Sequence, residues 1–169
     1  MARAFVFPGQ GSQVVGMGRE LHDAFAVARE VYQEVDDALN QNLTRLIFEG
    51  PEDELTLTEN AQPALMATSL AVVRVIEREG GILLSDKATF VAGHSLGEYS
   101  ALAAAGAMGL ADTARLLRRR GQAMQSAVPV GEGAMAAVLG LDLQDVRAVA
   151  ESAAAAGGGV CEVANDNAP

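Results

Sequence analysis

One junction constrains this chain more than any other feature. Thr89-Phe90-Val91-Ala92, an apolar run of strand character, meets Gly93-His94-Ser95-Leu96-Gly97, and a helical pattern begins near Leu96. A G-x-S-x-G between strand and helix is the context of a nucleophile elbow. Small residues on either side of the serine permit a sharp, strained turn that lifts its hydroxyl off the strand end. The helix that follows aims its first backbone N–H groups at the same point, where charge developing on an oxygen is stabilised. The pattern predicts Ser95 as a nucleophile. The alternative is a serine that only closes a tight turn.

The rest of the chain supplies what such a turn needs around it. Ala4-Phe5-Val6-Phe7, stopped by Pro8 and Gly9, predicts a buried strand feeding a loop. Leu21, Phe25, Ala28, Tyr32, Val35 and Leu39 are spaced 4, 3, 4, 3, 4 and form one face of a single helix, ended by Asn40-Gln41-Asn42. Residues 49–54 are polar and predict a surface loop. Thr58 is the expected N-cap of a helix that is apolar almost all round as far as Arg78-Glu79, hence deeply buried. A further helix starts near Ala111-Asp112, and 128–131 break it. Beyond lie an expected strand at 134–139, a helix at 143–155 and a strand at 160–163. The order strand, helix, helix, strand, helix, helix predicts an α/β class with a parallel sheet. Two parts are expected, 1–130 and a small subdomain over 131–169 whose last unit stops with nothing left to complete a sheet. That pattern is expected of a truncated chain.

Composition removes several functions. The 169 residues carry 12 Lys and Arg against 22 Asp and Glu, a net charge of −10, the opposite of a nucleic-acid binder. Tryptophan is absent, and seven aromatics, five Phe and two Tyr, argue against base-stacking platforms. A lone cysteine, Cys161, excludes an internal disulfide or a cysteine zinc cluster, and His22 and His94 are too far apart to suggest a metal pair. The first apolar run is too short for an export signal, and no stretch has the length of a membrane span. The expectation is a cytoplasmic protein with no metal, no membrane and no nucleic acid.

A second motif, Pro8-Gly9-Gln10-Gly11-Ser12-Gln13, also follows directly on a strand. Its glycines miss the dinucleotide spacing because Val14 stands where the third would fall, and no Gly-Lys-Ser/Thr is present for a phosphate loop. Two readings remain: a loop whose Gln10 backbone N–H serves a developing oxyanion, or a glycine turn capped by Ser12. Together, 5–13 and Gly93-His94-Ser95-Leu96-Gly97-Glu98-Tyr99-Ser100 resemble the malonyl-CoA:acyl-carrier-protein transacylase family, which includes the acyltransferase domains of fatty-acid and polyketide synthases. Asn60-Ala61-Gln62-Pro63-Ala64-Leu65, Arg120-Gly121 with Met124-Gln125, and Gly133-Ala134-Met135-Ala136-Ala137-Val138 match that family in the same order. The start of the first strand at residue 4 is closer to a free-standing bacterial enzyme than to an excised domain.

The resemblance implies an α/β-hydrolase-like large subdomain over 1–130 and the start of a ferredoxin-like small one over 131–169. It implies Ser95 as the nucleophile that takes malonyl from coenzyme A and passes it to the phosphopantetheine thiol of acyl carrier protein, in fatty acid biosynthesis. The amides of Gln10 and Leu96 are the implied oxyanion hole. Arg120 is implied to hold the malonyl carboxylate, for which a planar guanidinium is suited. Taken alone, Arg118-Arg119-Arg120 late in a helix would only complement its dipole. Gln62 and His94 are substrate-side candidates. His94 adjoins Ser95 and diverges from it at such a turn, which makes it a poor base, and His22 is expected on the surface. The family's base is a histidine well downstream, so roughly half of the usual chain, base included, is expected to be missing. No cofactor is implied beyond the coenzyme A thioester as substrate. Both expected partners, malonyl-CoA and acyl carrier protein, are anionic, so docking on an acidic chain requires a local basic patch. Arg115, Arg118 and Arg119 are the candidates. A polyketide-type acyl specificity, a serine esterase lacking the usual HGGG loop, and a catalytically incompetent fragment are the competing readings.

Overall fold

Two short apolar segments far apart in sequence become neighbours. β1 (Ala4–Phe7) and β2 (Phe90–Gly93) lie parallel, with Ala4 opposite Phe90 and Phe7 opposite Gly93. A parallel pair needs a long crossover, and six helices supply it: α1 (Arg19–Ala24), α2 (Ala26–Leu39), α3 (Leu43–Glu49), α4 (Glu52–Thr56), α5 (Thr58–Arg78) and α6 (Leu84–Lys87). α7 (Leu96–Ala104) and α8 (Leu110–Ala127) follow β2, and α9 (Leu143–Gly157) comes last. The structure, a computed structural model, describes residues 2–128 and 131–167. It divides into two units, Met1–Val130 and Gly131–Pro169. The α/β class with a parallel sheet is what the residue pattern led us to expect.

In the first unit α5 is the axis of the core. It packs against α2, α7 and α8, and Ala64, Met66, Ala67 and Ala71 are fully buried along it. Val31, Tyr32 and Val35 of α2, Leu43 and Ile47 of α3, Leu55 of α4 and Leu117 of α8 close around those positions. Each fully buried Leu or Ile contributes about 1.5–3 kcal/mol of transfer free energy. The alanines let the helices approach closely, which is why an all-round apolar helix suits this position. A smaller cluster of Phe7, Val73, Leu84 and Ala101 seats one sheet face on the helices. The other face carries Val6 and Phe90, both exposed.

Several local expectations need correction. The predicted single helix through 21–39 is two helices, because Phe25 is extended (φ −124°, ψ 126°) between α1 and α2. The loop expected at 49–54 is only the turn at Gly50 and Pro51, with Glu49 ending α3 and Glu52 opening α4. Thr58 is the first helical residue of α5 and not its cap. Asn60 N and Ala61 N instead donate to the carbonyl of Leu57.

Among the described residues of the second unit, only α9 forms. Leu143, Val146, Ala150 and Ala154 make a half-buried stripe along it at helical spacing. The strands expected at 134–139 and 160–163 are not formed, and Met135, Leu139 and Val160 are exposed. A strand persists only where neighbouring backbone satisfies its N–H and C=O groups. Local propensity at these segments is present, but no described strand pairs with either.

Candidate active site

The elbow is built by contact between backbones. β2 ends at Gly93, and His94 N donates to the Phe7 carbonyl at 3.3 Å. Ser95 then turns with φ 55° and ψ −110°, one of two non-glycine residues with positive φ among those described. Holding such a conformation costs of order 1–3 kcal/mol, which the surrounding packing must offset. The flanking glycines serve close approach. A Cβ on Gly93 would lie 1.9 Å from the Gly97 carbonyl carbon, and one on Gly97 would lie 2.3 Å from the Phe7 carbonyl oxygen. Gly97 N and Glu98 N bond back to His94 O (2.9 Å) and Ser95 O (3.1 Å). Leu96 N, at the first position of α7, has no hydrogen-bond partner among the described residues.

Because the two strands are parallel and in register, the loop after β1 and the elbow after β2 share one end of the sheet. Gly97 rests on the carbonyls of Phe7 and Pro8. The His94 ring lies against Gly9, where a Cβ would come within 2.6 Å of Nδ1. Gln10 Nε2 donates to Thr58 Oγ1 at 3.2 Å, which ties this loop to the start of α5. Its backbone N–H has no partner among the described residues. Ser12 Oγ donates to the Gly9 carbonyl at 3.0 Å, so the loop is also the capped turn of the second reading.

Arg120 reaches the elbow from α8. Its Nη2 donates to Ser95 Oγ at 2.8 Å and its Nη1 to Gln62 Oε1 at 2.7 Å, and its guanidinium lies 5.8 Å from the Tyr99 ring centroid. Gln62 is fully buried, with its Nε2 on Met124 Sδ at 3.3 Å. Gln62 therefore backs the arginine. Gly121 makes this approach possible: a Cβ there would lie 2.5 Å from Glu59 Cα and 2.7 Å from the Thr58 carbonyl oxygen. Ser95, Arg120 and Gln62 thus converge, while His94 turns toward Gly9. Sequence reasoning missed the part played by Gly121, although a glycine inside a helix beside a candidate arginine is a legible sign of close packing.

The arginines weighed for a docking patch divide. Arg118 is turned inward, with its side chain 16% exposed and hydrogen-bonded to Asn60 and Gln41, so it offers no docking surface. Arg115 pairs with Asp112 at 2.9 Å, and Arg119 is exposed. His22 is half-buried and packs edge-on against Tyr32 and Phe48, so it is less a surface residue than expected. Among the described residues no group of three or more His, Cys, Asp or Glu is placed to hold a metal, and no helix is long and apolar enough to cross a membrane.

Residues 4–160 match the acyl transferase domain family. The malonyl CoA-acyl carrier protein transacylase of Bacillus subtilis (strain 168) is 50% identical over 98% of this chain and 50% of its own length. The crystal structure of acyl-carrier-protein-S-malonyltransferase from Bartonella henselae superposes with a TM-score of 0.92 at 61% identity, over 99% of this chain and 52% of that one. A malonyl-transacylase solved in complex with its type II PKS acyl-carrier protein matches at TM-score 0.83 and 44% identity, over 91% of this chain and 48% of that one. The chain spans about half the length of the curated relatives it matches. A match across nearly all of its residues, with the serine turn and its arginine brought together, makes this chain a member of the acyl transferase domain family.

Proposed function

We propose that this chain carries the nucleophile-bearing half of a malonyl-CoA:acyl-carrier-protein transacylase of fatty acid synthesis. The observation that carries the reading is the Arg120 guanidinium on the Ser95 hydroxyl. In the proposed reaction Ser95 Oγ attacks the thioester carbonyl of malonyl-CoA, and the carbonyl oxygen takes up negative charge beside the amides of Gln10 and Leu96. The C–S bond then breaks, coenzyme A leaves as its thiol, and malonyl remains as an ester on Ser95. The phosphopantetheine thiol of acyl carrier protein attacks that ester, and Ser95 leaves as a hydroxyl. The malonyl carboxylate is three bonds from Oγ, so a guanidinium within hydrogen-bond reach of Oγ suits so short a diacid. No cofactor takes part.

The Ser95 proton needs a base. His22 is packed among aromatic rings, and His94 turns toward Gly9. We assign the base to the half of the family's length that lies outside these 169 residues. The same half would cover Val6 and Phe90, since both faces of a parallel sheet are normally buried. On this reading residues 1–130 are part of an α/β-hydrolase-like subdomain, and 131–169 begin a ferredoxin-like one. The proposed setting is cytoplasmic. The test is to incubate the full-length protein with malonyl-CoA, digest it and map the mass gain. The expected label is on the Ser95 peptide and is lost in Ser95→Ala; a label that survives that substitution overturns the assignment.

A further inference from the structure

Two rungs join α5 to α8. In one, Arg120 Nη1 donates to Gln62 Oε1 at 2.7 Å; in the other, Arg118 Nη1 donates to Asn60 Oδ1, also at 2.7 Å. Each rung starts two residues from the other on both helices. At 3.6 residues per turn, positions 118 and 120 flank position 121, where Gly121 touches the backbone of Glu59. The contact point between the helices therefore has a charged hydrogen bond on either side of it.

The second rung is anchored well beyond α5. Arg118 Nη2 donates to Gln41 Oε1 in the turn between α2 and α3. Asn60, 5% exposed, passes its Nδ2 to the Glu54 carbonyl of α4 at 2.8 Å. The nearest carboxylate, Glu59, stands 3.9 Å from Arg118. Burial pushes the Arg118 guanidinium below its ordinary pKa, and Glu59 opposes that shift. A guanidinium taken from water with one distant carboxylate is a poor way to gain stability. It is a good way to impose one geometry, because its donors are fixed in a plane.

We propose that Arg118 is a positioning residue for acyl selection. It fixes the rotation of α8 on α5 and so holds the Arg120 guanidinium between Gln62 and Ser95, without touching the substrate. This rests on the reading of Arg120 as the holder of the malonyl carboxylate. A rotation of α8 that breaks the Asn60 rung must also swing Arg120, since both project from the same rigid helix. Chemistry common to all acyl groups depends on the elbow and is not reached by that rotation.

The test compares malonyl-CoA with acetyl-CoA as donor in the full-length protein. Arg118→Met is expected to lower kcat/KM for malonyl by about 10- to 100-fold, the scale of a small misplacement, and to leave acetyl within about twofold. Arg118→Lys is expected to recover part of the malonyl rate. Asn60→Ala removes the same rung, so the double variant is expected to be no worse than the worse single one. If Arg118→Met does not fold, Arg118→Lys and Asn60→Ala carry the same comparison. Folded variants with an unchanged malonyl-to-acetyl ratio overturn the proposal. Arg120→Ala is the control. A ratio unmoved by Arg120→Ala removes the carboxylate reading itself, whereas a ratio moved by Arg120→Ala but not by the Arg118 and Asn60 variants removes only the role given to Arg118.

Discussion

Arg120 Nη2 donates to Ser95 Oγ at 2.8 Å, between residues 25 apart in sequence. The cation stands on the oxygen proposed to attack, from the middle of a different helix. On the proposed reading, that position becomes a carboxylate site once an acyl group occupies the oxygen.

Arg120→Ala in the full-length protein is expected to cost malonyl transfer about 2–5 kcal/mol in kcat/KM, since a charged partner is left unpaired. Acetyl transfer, with no carboxylate to hold, is expected to fall much less. Arg120→Lys should sit between, because the planar fork is lost while the charge remains. Steady-state kinetics with both donors checks this; equal losses would make the role structural.

Gly121→Val is expected to destabilise the first unit by about 1–3 kcal/mol, the usual cost of forcing extra atoms into a packed contact. The nearest atoms are backbone, at Glu59 and Thr58, and backbone cannot swing aside. Urea denaturation measures the loss. A variant as stable as the parent would mean that α8 does not approach α5 this closely.

Asp36 is held above its ordinary pKa of 3.8, chiefly because burial penalises the carboxylate, with hydrogen bonds from Thr44 opposing. The folded-state value therefore lies above the unfolded one. Its stabilising contribution is present in full below the unfolded pKa and is lost as pH rises through the folded one. Asp36→Asn keeps an oxygen for the Thr44 N–H, now at 2.9 Å, and carries no charge. It is expected to be more stable than the parent at pH 7. The difference should vanish as pH falls below the unfolded value. Thermal melts across pH 3–7 read the trend, and the opposite slope would contradict it.

Residues 1–169 expressed alone are expected to transfer malonyl at least about 10⁴-fold more slowly than the full-length protein, the scale of losing a triad member in serine hydrolases. An unactivated hydroxyl is a weak nucleophile at neutral pH. Assay of malonyl transfer to carrier protein decides this. A rate within about tenfold would mean that His94 or His22 serves as base after all.

Much of the site was legible because its signals are short and local. The apolar run 90–92, the glycines around Ser95 and the helical pattern beyond them are set by neighbours in sequence, so strand, turn and helix followed directly. The break at Phe25 was not legible, since apolar spacing continues through it and only the backbone leaves the helical region. The strands at 134–139 and 160–163 were wrongly expected, because propensity reports a strand's preference and not its partner.

The sequence by itself determined that a strained serine turn would follow a parallel strand and that the long helix through Leu65 would be core. Those outcomes rest on steric rules and hydrophobic periodicity, which act over a few residues. Only the tertiary structure decided which of Arg118, Arg119 and Arg120 meets the serine. All three have the same charge and lie within one turn of α8. Their fates diverge because Gly121 lets α8 press on the start of α5, and the three side chains leave the helix at different angles to that contact. Arg118 turns inward to Asn60, Arg119 stays in water and Arg120 meets Ser95.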